Sequence, residues 1–200
     1  VWRNEKPGPG RFREFLQFDA DYVGTKNLQA DAELCILISE ILEKCGLTKE
    51  DYTVKISSRN FTEELFEEIK ISSREQKLTI YRALDKWDRL GWEGVKKLLG
   101  EGREDKSGDF TTGAQLSEKQ IELIENKIRD TAKRPSDILE MGKIFEAYNF
   151  ENYDFDPSVI RGLEYYTGPI FEVNLNFDVK NSKGKKIQFG SIGGGGRYDN

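Results

Sequence analysis

The chain contains no histidine, which removes imidazole acid–base chemistry and most zinc sites from consideration. Cysteine is scarce: Cys35 and Cys45 fall within a helical pattern and read as buried thiols of a reducing compartment. No apolar run reaches membrane-spanning length and no secretory leader opens the sequence, so a cytosolic protein is the expectation. An excess of positive charge is also lacking. The net charge is −5 and the isoelectric point about 5.1, so no global basic field draws the chain to nucleic acid or to an anionic membrane. Any nucleic-acid contact must come from local patches, and the chemistry must rest on Arg, Asp, Glu and Tyr.

What is present suits a folded protein. Hydrophobic residues make up 36% of the 200 positions, charged residues 34% and aromatics 12%, which is globular rather than disordered. That length accommodates one domain, or one domain carrying an insertion. Val1 to Glu5 opens inside a strand-like pattern without an initiator Met, and Asn200 follows a glycine run. Both ends therefore read as cuts in a longer protein.

Val1 to Glu5 and Arg11 to Val23, joined by Lys6-Pro7-Gly8-Pro9-Gly10, predict two antiparallel strands. Alternation along Phe15–Tyr22 places Gln17, Asp19 and Asp21 on one face, where an amide and two carboxylates need partners or solvent. Ala30 to Lys44 has helical spacing, with Asp31 complementing the helix dipole and Gly46 as the stop. Asp51 to Ser57 alternates as a strand, giving a βαβ-like order with helices packed on a sheet. From Phe61 to Phe150 the apolar spacing is helical, interrupted by a charged, glycine-containing linker at 100–113. About ninety such residues between two strand-rich blocks predict an inserted helical domain. Pro169 to Val179 then reads as a strand, Asn181-Ser182-Lys183-Gly184 as a hairpin turn, and Lys186 to Ile192 as the returning strand.

Three arginine-bearing clusters carry the chemistry. Arg3 stands with Glu5 before the turn and Arg11 after it; Arg161 precedes Tyr165 and Tyr166; and Gly193–Gly196 leads into Arg197 and Tyr198. The planar guanidinium fork suits carboxylate or phosphate, phenols can orient a flat nitrogenous ligand, and glycines let backbone approach a ligand closely. The glycine run is neither a P-loop nor a spaced dinucleotide fingerprint. Several guanidinium groups on separate strands suit a polyanion such as a nucleoside triphosphate.

Arg3-x-Glu5, the Gly/Pro loop, Gly10-Arg11-Phe12-Arg13-Glu14-Phe15 and Gln17 resemble motif 2 of class II aminoacyl-tRNA synthetases. Arg161-Gly162-Leu163-Glu164-Tyr165-Tyr166-Thr167-Gly168 resembles the signature peptide of the histidyl-tRNA synthetase family, and Gly194-Gly195-Gly196-Arg197-Tyr198-Asp199 its second histidine-pocket peptide. The resemblance implies an α+β fold: the class II antiparallel sheet flanked by helices, with an inserted all-helical domain. Residues 1–60 and 151–200 would be the two parts of the catalytic domain and residues 61–150 the insertion.

The family's activity would be activation of histidine with ATP and transfer to tRNA(His). By that resemblance Arg3 and Arg161 are catalytic. Arg3, Gln17, Asp21, Arg161, Tyr165, Tyr166 and Tyr198 would bind histidine. Arg3, Glu5, Arg11 and Arg161 would bind ATP, with Mg2+ held through the ATP phosphates and no protein metal site. The resemblance further implies a homodimer, and contact of the insertion with the tRNA acceptor stem through residues such as Lys127, Lys133 and Arg134. Glu164 and Leu16 depart from what many members carry. No motif 1, motif 3 or anticodon-binding domain is found, so the chain alone is not expected to be a competent enzyme. The alternative is a non-catalytic paralogue that senses histidine as a regulatory subunit; intact Arg3, Arg11, Arg161 and both tyrosines argue against it.

Overall fold

The structure, a computed structural model, describes all residues except 5, 9–11, 106–107, 162–164, 181–183, 185, 188–189 and 200, and omits the side chain of residue 88. Chain order is α1 (Leu28–Lys44), a 3-10 turn (Lys49–Asp51), β1 (Tyr52–Ser58), α2 (Arg59–Glu68), α3 (Arg74–Leu84), α4 (Trp87–Leu99), β2 (Gly102–Glu104) and β3 (Phe110–Thr112). After these come α5 (Glu118–Arg129), α6 (Ser136–Ala147), β4 (Tyr153–Phe155), β5 (Pro169–Leu175), β6 (Val179–Lys180), β7 (Lys186–Ile187) and β8 (Ser191–Gly196).

A four-stranded sheet in the order β4-β1-β5-β8 forms the frame. β1 and β5 run antiparallel with Val54 opposite Val173 and Ile56 opposite Phe171, and β8 runs antiparallel to β5. The short β4 joins the outer edge in parallel with β1. Alternation in β1 buries Tyr52, Val54 and Ile56 completely, as period-2 geometry requires of a strand packed on one face. The buried Tyr52 hydroxyl is satisfied by Ser39 of α1 at 2.5 Å.

Polar caps begin the helices where the sequence offers them. Asn27 accepts from the Gln29 amide, Ser73 from Gln76, and Ser117 forms a reciprocal capping box with Gln120. Gly46, at φ 99°, follows the end of α1 as expected. Gly91, at φ 66°, breaks α4 near its start. The buried apolar residues of α2–α6 and most of those of the sheet belong to one hydrophobic cluster, from Cys35 and Tyr52 through Leu84, Ile124 and Phe145 to Val173, while Ile170 of β5 packs with Val159 and Tyr166 in a second. Asp137 fastens α6 to the β1–α2 junction, accepting from the Ser58 hydroxyl and, at 2.9 Å, from the Asn60 amide.

Four readings of the sequence are corrected. Among the described residues, the opening strands meet at an antiparallel bridge between Trp2 and Glu14, flanked by Arg3 N–H to Arg13 C=O at 2.9 Å and Phe15 N–H to Val1 C=O at 3.1 Å. Its apolar side chains lie open, with Leu16 fully exposed and Trp2 and Phe18 largely so, and no packing extends the ladder. The 100–113 linker contains the β2–β3 ribbon, with Arg103 opposite Thr111. Cys45 caps the end of α1 and is exposed; only Cys35 is buried, and burial pushes its thiol pKa up. The strand read as Lys186 to Ile192 is split into β7 and β8, and the glycine run is itself most of β8. Of the turn expected at Asn181-Ser182-Lys183-Gly184, residues 181–183 lie outside the described residues, and Gly184 sits at φ 74°.

Candidate active site

Glycine is a poor strand former, yet Gly193–Gly196 pairs along β5, Gly194 opposite Glu172 and Gly196 opposite Ile170. What surrounds these residues supplies the reason. A Cβ at Gly194 would collide with the Arg161 guanidinium, and one at Gly196 would stand 2.7 Å from the Tyr166 ring. A Cβ at Gly193, pointing the other way, would meet Ile38 of α1 at 2.6 Å. One face of β8 is thus left bare for Arg161 and Tyr166, while the other lies against a helix.

Arg161 sits at φ 41°, in the left-handed region that costs a non-glycine residue about 1 kcal/mol. Its buried Nε has no hydrogen-bond partner among the described residues. A buried guanidinium nitrogen without an acceptor suits an anion. Tyr166 is buried, and Tyr165 lies beside it at 4.7 Å between ring centroids, with Tyr198 edge-on to Tyr165 at 6.2 Å. Burial, followed by a hydrogen bond to Tyr166, holds the Tyr165 phenol above its ordinary pKa.

The opening hairpin reaches this cluster where the Tyr198 hydroxyl donates to Asp21 at 2.6 Å. That hydrogen bond is the main reason the Tyr198 pKa is raised. Two and four residues earlier, Asp19 accepts from the Gln17 amide at 2.6 Å and Gln17 accepts from Arg3 at 2.8 Å, so the expected polar face exists as a hydrogen-bonded row. The Arg3 guanidinium also lies over the Phe15 ring at 5.3 Å.

The structure therefore joins Arg3 to Gln17, Asp21 to Tyr198, and Arg161, Tyr165 and Tyr166 along β8. Among the described residues no contact joins Arg3 to Arg161. Glu5 and Arg11, assigned to ATP, lie outside the described residues. Arg197 is not a free anion-binding fork: it pairs with Asp31 of α1, and its amide and carbonyl tie Pro169 to Thr167 at 2.9 Å each. Of the basic residues assigned to tRNA, Lys127 is paired with Glu68 at 2.7 Å. Lys133 is exposed, and Arg134 lies over Phe155 beside an open cleft next to α6.

Sequence reasoning missed Arg59. It is 5% exposed, stacks on Tyr81 at 4.0 Å, and donates to the Arg161 carbonyl at 2.6 Å. The available signal was a charged residue directly after an apolar strand, at the Ser58 helix cap.

The sheet and its flanking helices share the fold of solved histidyl-tRNA synthetases. A structure of histidyl-tRNA synthetase from Nostoc sp. PCC 7120 matches with a TM-score of 0.59 at 17% identity, covering 76% of this chain and 37% of that one. A Bacillus halodurans C protein, described as an ATP phosphoribosyltransferase regulatory subunit/histidyl-tRNA synthetase, matches at 0.55 and 18% identity, covering 88% and 44%. At these identities the likeness concerns the fold.

Sequence comparison goes further. The histidyl-tRNA synthetase family profile matches residues 1–200. The histidine–tRNA ligases of Bartonella quintana and Rhizobium meliloti are 48% and 46% identical to it, covering the whole of this chain and 45% and 44% of their own length. The chain belongs to the histidyl-tRNA synthetase family, and it spans less than half the length of those relatives.

Proposed function

We propose that this chain is part of the catalytic core of a histidine–tRNA ligase, which activates histidine with ATP to histidyl-adenylate and transfers it to tRNA(His). The observation that carries this reading is that Arg161 and Tyr166 lie together against the bare face of β8, a guanidinium beside a cluster of phenols. The histidine carboxylate attacks the α-phosphorus, pyrophosphate departs, and the charge developing on the α-phosphate oxygens is held by Arg161 and Arg3. Proximity and fixed positive charge do this work, so no protein base is required.

Gln17 binds the substrate amino group, Asp21 the substrate histidine, and Tyr165, Tyr166 and Tyr198 line the imidazole pocket. Glu5 and Arg11 belong to the adenine and distal phosphates. ATP would enter as its Mg2+ complex, the ion belonging to the substrate and offsetting phosphate charge. Residues 61–150 would serve as the helical insertion, meeting the acceptor stem, and the whole protein would act in the cytoplasm as a homodimer.

The second reading, a histidine-sensing regulatory subunit, shares its fold with the Bacillus halodurans C protein. Charging of tRNA(His) with labelled histidine by the whole protein decides between them. ATP-dependent charging supports the ligase; histidine binding in calorimetry with no charging overturns it in favour of the sensor.

A further inference from the structure

Arg59 occupies the junction between β1 and α2, and nothing in the reaction just described uses it. Its position joins three parts of the molecule. Its backbone amide donates to Gly168 C=O at 2.9 Å, at the end of the signature segment. Its guanidinium donates from Nη2 to the Arg161 carbonyl at 2.6 Å, at the beginning of that segment. The face of the same guanidinium rests on the Tyr81 ring of α3, 4.0 Å from the centroid. Tyr81 is itself held, its hydroxyl lying 3.0 Å from the Thr62 hydroxyl and donating to Glu63 at 3.1 Å.

The carbonyl that Arg59 holds belongs to a residue at φ 41°, and a conformation of that kind persists only where its surroundings enforce it. Rotation of the Arg161 backbone would swing the guanidinium off Gly194, because the same residue carries both groups. A planar side chain stacked on a ring and bonded through one nitrogen is a stiff support, where a lysine would offer only a point charge.

We infer that Arg59, backed by Tyr81, is a positioning residue that fixes the left-handed backbone of Arg161 and so aims the Arg161 side chain over β8. This rests on the ligase reading, in which Arg161 meets the α-phosphate. It also makes α3, in the helical stretch, a mechanical support of the signature segment. Arg59 lies behind Arg161 and acts through it, so its loss lowers turnover while substrates still bind.

The test is histidine-dependent ATP–pyrophosphate exchange by the whole protein, with kcat expressed per folded molecule from circular dichroism. Arg59→Met is expected to lower kcat about a hundredfold, with the KM for histidine within threefold of wild type. Arg59→Ala should regain part of its kcat when guanidinium ion is supplied at millimolar concentration. A kcat for Arg59→Met within threefold of wild type, or a loss confined to KM, overturns the inference. If Arg59→Met does not fold, Tyr81→Leu decides: a kcat at least fivefold lower supports the role, and a smaller change overturns it. Absence of exchange in the wild type would instead count against the ligase reading.

Discussion

Arg197 and Asp31, 166 residues apart in sequence, form an ion pair in which each side chain is 11% exposed. The pair closes the end of β8 against the first turn of α1. The hydrogen bond it donates to Asp31 pushes the Arg197 guanidinium further up, while burial lifts the Asp31 carboxyl above its ordinary range. Truncating Asp31 leaves the largely desolvated Arg197 with weaker contacts, to Asp199 at 3.5 Å and to the Asn27 carbonyl at 3.2 Å. Asp31→Ala is expected to lower unfolding stability by about 3 kcal/mol, read from the urea midpoint. The double variant Asp31→Leu/Arg197→Met should recover most of that loss.

The bare face of β8 gives a second expectation. None of Gly193–Gly196 has a positive φ among the described residues, so an added methyl acts by volume. Gly194→Ala would drive a carbon into the Arg161 guanidinium and should reduce pyrophosphate exchange at least tenfold. Gly195→Ala meets only the Phe171 ring, at 3.0 Å, and should reduce it far less.

Tyr198 reports on the Asp21 contact directly. Hydrogen bonding to the carboxylate favours the neutral phenol, so the folded pKa stands above the ordinary value of 10.0. Absorbance titration of the phenols should show Tyr198 among several late-ionising groups, with Tyr165 and Tyr81, and Asp21→Asn should bring one of them down. The same substitution should raise the KM for histidine more than it lowers kcat.

Asp156 governs a pH dependence. Burial alone would raise its carboxyl, but hydrogen bonds from Lys55 at 2.8 Å and from the Ser158 hydroxyl and amide outweigh this and hold it below 3.8. With a folded pKa below the unfolded one, its stabilisation is complete above the unfolded pKa. It is lost as pH falls through the folded value. Asp156→Asn should cost about 1–2 kcal/mol at neutral pH and flatten the decline in stability below pH 4.

Some of this was legible in the chain and some was not. α1, β1, α5 and α6 follow from apolar spacing and caps, because each buries a continuous face whose period is written locally. β8 does not, because four glycines carry no strand preference; their pairing is imposed by β5 and by the side chains that crowd them. The β2–β3 ribbon was hidden for a related reason, its charged and glycine-rich residues being solvated on both faces. That the phenols and Arg161 lie together was legible from their cluster, while Arg59 was missed because its guanidinium meets a carbonyl of the residue that the motif displays. The paired state of Arg197 could not be read from sequence, since its partner lies in α1.

The role of Arg161 is tested most directly by histidine-dependent ATP–pyrophosphate exchange in the whole protein, wild type and Arg161→Ala side by side. The account predicts exchange in the wild type and a loss of about a hundredfold or more in Arg161→Ala, with histidine still bound. Undiminished exchange in Arg161→Ala would contradict it.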